Sequence, residues 1–158
     1  MKHLRPGKLG FRTALGVAVA TAGTLAMAPA APAVTPDTAT LSFDCGFYGS
    51  GTATLTATQD GTAATISLST SAITSPIDIG ANSVSSTLTL TKNGSGTTEF
   101  SGSSNPAIPA GSQVSTGPLS GTVAAGDSLE AKSLKVVVLG ITATCNATSP
   151  QSPGPFVF

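Results

Sequence analysis

Tryptophan is missing from this 158-residue sequence, histidine and tyrosine occur once each, and methionine and cysteine twice. Charged residues are scarce as well, at 9% of the chain. The few that exist are unevenly placed. His3, Met1, Met27, Arg5 and Arg12, which are all the histidine, methionine and arginine of the chain, fall within the first 33 residues. That stretch has the pattern of a Sec signal peptide. Lys2, Arg5, Lys8 and Arg12 form a basic start, Thr13 to Ala28 is an uncharged apolar run of 16 residues, and Ala31-Pro32-Ala33 supplies a small-x-small cleavage pattern. A membrane-spanning helix needs about 20 predominantly apolar residues. The run falls short of that, so cleavage after Ala33 is expected, with secretion to the extracellular space or cell wall and no transmembrane segment in the mature chain.

The 125 residues that would remain keep three lysines, Lys92, Lys132 and Lys135, against seven carboxylates, a net charge of −4. This argues against nucleic acid or an anionic membrane as partner. The loss of histidine excludes more. Gly126-Asp127-Ser128-Leu129 spells the motif of a large class of secreted esterases, whose serine needs a histidine base. None survives export, and no helical pattern surrounds the motif. Ala125-Gly126-Asp127 is therefore expected to be a turn that leads into a strand near Leu129.

Other chemistries meet similar limits. Ser128 and Lys132 do not form the helical Ser-x-x-Lys pattern of a serine–lysine dyad. Asp127 and Glu130 lack the aromatic platforms that accompany glycosidase carboxylates. Asp60 and Asp127 stand in turns without the alternating acidic ligands of a calcium loop. The Asn-x-Ser/Thr sequons at Asn93 and Asn146 are given no role. No catalytic residue, no metal site and no cofactor is expected.

Two cysteines in an exported chain point to one disulfide, Cys45–Cys145, closing a loop of 100 positions. Two free buried thiols, or pairing with a second molecule, are the alternatives.

What the chain does contain is alternation. Serine and threonine make up about a third of residues 34–158 and alternate with apolar residues. Ala39, Leu41, Phe43 and Cys45 share one face, then Ala53, Leu55 and Ala57, then Ala64, Ile66 and Leu68, and then Val84, Leu88 and Leu90. Asp60-Gly61 and Asn93-Gly94 predict hairpin turns. Ser101 to Ser112 is the longest breaker-rich stretch, followed by weak strand patterns at Gln113–Thr116 and Leu119–Ala124. Leu134 to Leu139 is almost continuously apolar, which predicts a central strand buried on both sides. Val137, Leu139, Ile141, Ala143 and Cys145 keep one register beyond it, with Gly140 as a bulge or bend.

Seven to eight short antiparallel strands in one domain predict an all-β, immunoglobulin-like sandwich over residues 38–148, with the disulfide joining its first and last strands. Residues 34–37 are a linker and 149–158 a flexible, proline-rich tail.

On export, cysteine placement and composition, Thr38 to Thr148 resembles small secreted actinobacterial domains, Thr/Ser/Gly-rich sandwiches bracketed by one early and one late cysteine. Most of those have no known function, so the resemblance implies a fold and a location only. Composition and export are also similar to the neocarzinostatin-type apoproteins, acidic sandwiches that carry an apolar ligand. Those have two short-range disulfides, whereas this chain has two cysteines far apart.

The expected function is a non-enzymatic secreted domain, structural or adhesive, with an unidentified extracellular or envelope partner and a monomeric state. The second reading is a small-molecule carrier. The third is carbohydrate or protein binding through the glycine-rich 46–51 loop. There Phe47 and Tyr48 are either a contact patch or a plug for the end of the sandwich.

Overall fold

The computed structural model describes residues 33–158. The expected signal segment lies, apart from Ala33, outside the described residues. Nine strands follow one another: β1 (Thr38–Asp44), β2 (Ser50–Asp60), β3 (Ala63–Thr74), β4 (Val84–Lys92), β5 (Gly96–Gly102), β6 (Gln113–Thr122), β7 (Ser128–Val138), β8 (Ile141–Ala147) and β9 (Phe156–Val157). In β1 to β4 the alternating faces lie as the sequence pattern requires, whereas Val137 falls on the face opposite Ala143 and Cys145. In β1, for example, Ala39, Leu41 and Phe43 are buried between exposed neighbours.

The sheet is not the open sandwich that strand count and turn spacing suggest. Its strand order is β4-β5-β6-β3-β2-β1-β8-β7, and β7 pairs again with β4, so eight strands close into an antiparallel barrel. Alternation and short turns suit a sandwich and a barrel equally. The difference is made by two long-range seams. β1 meets β8 at Phe43↔Ala147 and Asp44↔Asn146. β5 meets β6 at the single pair Ser101↔Ser120. Closure leaves few unpaired strand edges.

Leu55, Ile66, Leu119, Leu129, Leu90 and Phe100 are fully buried inside the barrel. Each such side chain contributes about 1.5–3 kcal/mol of burial energy. Ser86 of β4 and Thr116 of β6 are also buried. The Thr116 hydroxyl donates to that of Ser86 at 2.5 Å, tying two strands that are not sheet neighbours.

The hairpins differ from expectation in detail. Asp60 pairs with Ala63, so the first loop is Gly61-Thr62, with Gly61 at φ +62°. Asn93 and Gly94 (φ +53° and +78°) turn the chain between β4 and β5, as expected. Gly140 is not a bulge. Val138 pairs with Ile141, and Leu139-Gly140, both at positive φ, make a two-residue hairpin turn between β7 and β8. A real bulge sits earlier in β7. Leu90 pairs with Ala131 and Thr89 with Ser133, leaving Lys132 as the extra residue. The bulge changes the phase of the strand. Leu129 and Ala131 face inward before it, Leu134, Val136 and Val138 after it. The Leu134–Leu139 run is accordingly half-buried rather than covered on both sides, and Leu139 is exposed.

Both ends of the described segment lie on the barrel. Thr35 and Val157 exchange backbone hydrogen bonds at 2.9 Å, and β9 pairs with Ser128 and Leu129. In the tail Gln151, Phe156 and Phe158 are buried, with the two rings edge to face at 6.4 Å. The prolines of the tail prevent a long strand, but two apolar rings suffice to anchor it.

Candidate functional site

The interior of the barrel is not filled at one end. A cavity of about 310 Å³, with an almost wholly apolar lining, lies between the inner face of the β7–β8 hairpin and β1–β3. Its origin is local. The inner face of β8 carries Ala143, Cys145 and Ala147, and the facing β2 contributes Ala53, so small side chains meet where large ones would close the space. Larger residues appear only around it, including Leu41, Phe43, Leu68, Leu88, Leu134 and Val136. Interiors of packed proteins contain few voids larger than a water molecule.

The cavity opens to solvent because the seam beside it stops early. β1 ends at Asp44, and the chain then turns away through a short 3-10 turn, Gly46–Tyr48, flanked by Gly46 at φ +62° and Gly49 at φ +113°. Only Asn146 and Ala147 of β8 pair with β1. The disulfide Cys45–Cys145 stands just past this short ladder, and both cysteines line the cavity. The expected staple thus joins β1 to β8 rather than to the last strand, and it doubles as a wall of the site.

Around the mouth stand Tyr48, Ile77, Leu139 and Ile141, all substantially exposed and all lining the cavity. Phe47 is 99% exposed and meets Tyr48 edge to face at 5.9 Å. Phe47 is therefore no plug. It extends the apolar rim into solvent.

Next to Val84, which pairs with Val138 of β7, Asn105 is buried in the breaker-rich loop. Its carboxamide oxygen accepts from the Ser83 and Val84 amides at 2.9 and 2.8 Å, and its nitrogen donates to the Gly80 and Pro106 carbonyls at 3.0 and 2.7 Å. Ile79 and Ile108 pair as an isolated bridge beside it and both line the cavity. Asn105, Ile79 and Ile108 had no readable signal in the sequence, because each lies in an irregular segment.

Comparison of the chain with known family models, curated proteins and solved structures finds no match. The site is therefore interpreted on its geometry.

The Gly126–Leu129 motif lies at a turn and is occupied structurally. Asp127 is buried; its Oδ2 accepts from the Ala124 amide at 2.8 Å and forms an ion pair with Lys92 at 2.8 Å, and its Oδ1 accepts from Asn93 at 3.3 Å. The Ser128 amide donates to the Asn93 side chain at 2.9 Å. These contacts bind the β4–β5 turn to the start of β7. The Glu130 carboxylate accepts from the Gln151 amide at 3.2 Å and so holds the tail, not a partner for Asp127.

The Lys92 hydrogen bond, followed by that of the Ala124 amide, holds the Asp127 carboxyl below its usual value, against the opposing effect of burial. A carboxyl with a depressed folded-state pKa adds stability above its unfolded pKa and loses it as pH falls through the folded value. Stability should therefore decline below about pH 4. Asp127→Asn should remove that part of the acid dependence and cost about 1–3 kcal/mol at neutral pH, since Lys92 loses its anionic partner. Denaturant midpoints of both proteins between pH 2 and 7 test this. Parallel curves would contradict it.

Proposed function

We propose that this protein is an exported, non-enzymatic binding module that holds a small apolar molecule in the open interior of its barrel. The observation that carries the reading is the cavity of about 310 Å³ with an apolar lining and an apolar, solvent-exposed rim. Ligand pockets of roughly 300–1,000 Å³ are commonly found in the mouths of β-barrels, lined mainly by apolar side chains. A purely structural or adhesive domain has no need of such a void, which forfeits packing energy. The carrier reading is therefore favoured over the structural one. Phe47 and Tyr48 become the entry lip of the cavity rather than a separate sugar-binding patch. The disulfide agrees with an oxidising, extracytoplasmic location, and among the described residues no helix is long and apolar enough to cross a membrane.

Native mass spectrometry of protein purified from its own producer is expected to show a bound small molecule, and a neutral fluorescent probe such as N-phenyl-1-naphthylamine should brighten on binding. Ala143→Trp places an indole from the inner face of β8 into the cavity. It should abolish both signals while leaving the fold intact by circular dichroism. Protein that arrives empty and fails to bind the probe would overturn the reading.

A further inference from the structure

Of the residues that line the cavity, Lys132 alone carries a charge. Its position follows from the bulge in β7. The β7–β8 register pairs Leu134 with Cys145 and Ser133 with Asn146, so strand alternation puts Lys132 on the same face as Leu134 and opposite Ala147. That is the inner face. Without the extra residue, the inward phase of Leu129 and Ala131 would continue at Ser133, and Lys132 would point away from the cavity. Bulges are a recognised means of re-aiming a side chain.

The ammonium is also uncommitted. Among the described residues the one ion pair is Lys92–Asp127, and Lys132 is exposed. Lys135, the remaining lysine among the described residues, alternates onto the outer face with its partner Thr144.

The hairpin floor thus has two chemically different ends. Lys132 stands at one. Val138, Leu139 and Ile141, which border the apolar mouth, stand at the other. Six residue steps along β7 separate Lys132 from Val138, about 20 Å at 3.3 Å per residue. Between them the inward side chains are apolar. The volume is at the lower end for small-molecule sites. It suits one extended chain rather than two.

We propose that the molecule bound is a single-chain amphiphile with an anionic head, its alkyl chain lying along the β7–β8 floor and its head paired with Lys132. This rests on the carrier reading above and adds the charge and shape of the ligand.

The test is displacement of N-phenyl-1-naphthylamine from the intact protein by four C14 compounds below their aggregation concentrations: myristate, tetradecyl phosphate, tetradecanol and tetradecylammonium. Both anions should compete about two- to fivefold better than the alcohol, the size of effect an exposed ion pair supports, and the ammonium should compete worst. A preference for one anion over the other would tell carboxylate from phosphate heads. Lys132→Gln should abolish the advantage of the anions and Lys132→Glu should reverse it, whereas Lys135→Gln should leave it unchanged. Equal competition by all four compounds would overturn the anionic head while leaving the carrier reading standing. Failure of the probe itself to bind would overturn both.

Discussion

Removing the Cys45–Cys145 bridge is expected to lower stability by about 4–5 kcal/mol, the chain-entropy value for a loop of 100 residues. For a domain of this length that corresponds to a fall in Tm of roughly 15 °C. The loss should be focused in one place. The β1–β8 seam holds only two residue pairs, and the disulfide lies directly beyond them. Without it β1 is joined to β8 only by the Phe43–Ala147 and Asp44–Asn146 ladder, backed past the end of β8 by the hydrogen bonds of Thr148 with Ser42 and of Ser152 with Thr40, and the wall of the cavity loses its tether. Thermal unfolding of the oxidised protein and of the Cys45→Ala, Cys145→Ala double variant measures the size of the effect. Hydrogen exchange should show the amides of 43–44 and 146–147 speeding up ahead of those in the β2–β3 ladder. Equal midpoints would refute the assignment of the bridge as the main fastening of this seam.

Phe100→Ala is the second large loss, about 3–5 kcal/mol. Phe100 is fully buried on β5 opposite Leu88, immediately before Ser101, which makes the one β5–β6 pair. The ring fills the seam that the backbone barely closes. It also explains Gly121, where an added Cβ would lie 2.5 Å from ring atoms of Phe100. The benzyl group and the missing side chain are complementary. Phe100→Leu should cost less than Phe100→Ala, since it leaves a smaller void, and chemical denaturation of the three proteins provides the ranking. If alanine were tolerated within about 1 kcal/mol, the site would have to collapse more freely than a closed barrel allows.

The parts of the fold that were legible are those set by neighbours in sequence. The alternation of Ala39, Leu41 and Phe43, and of Ala64, Ile66 and Leu68, states which face of each strand is buried, because strand side chains repeat every two residues. Asn93-Gly94 states its turn because both residues tolerate positive φ. The Leu139-Gly140 turn is not legible in the sequence for a specific reason. Leu139 at φ +50° is an unusual turn residue. The apolar spacing also runs through the turn unbroken, so Leu139, Ile141 and Ala143 mimic one continuous strand. The Lys132 bulge was hidden in the same way, as one extra residue that alters the phase only when β7 is paired with β4. In the tail, Pro150, Pro153 and Pro155 masked the anchoring rings of Phe156 and Phe158.

By itself the sequence determined an all-β chain, the buried face of most strands, one disulfide and the absence of histidine from residues 34–158. These follow from composition, two-residue periodicity and turn chemistry, all of which act over a few residues. Only the tertiary structure decided that the sheet closes into a barrel and that its interior is left open. Closure depends on which strand edges meet, β1 with β8 and β5 with β6, across separations that no local pattern encodes. The cavity depends on small side chains of β2 and β8 coming face to face, and on a bulge that turns Lys132 inward. Volume left unfilled is a property of two facing surfaces, so it has no signature in either strand alone.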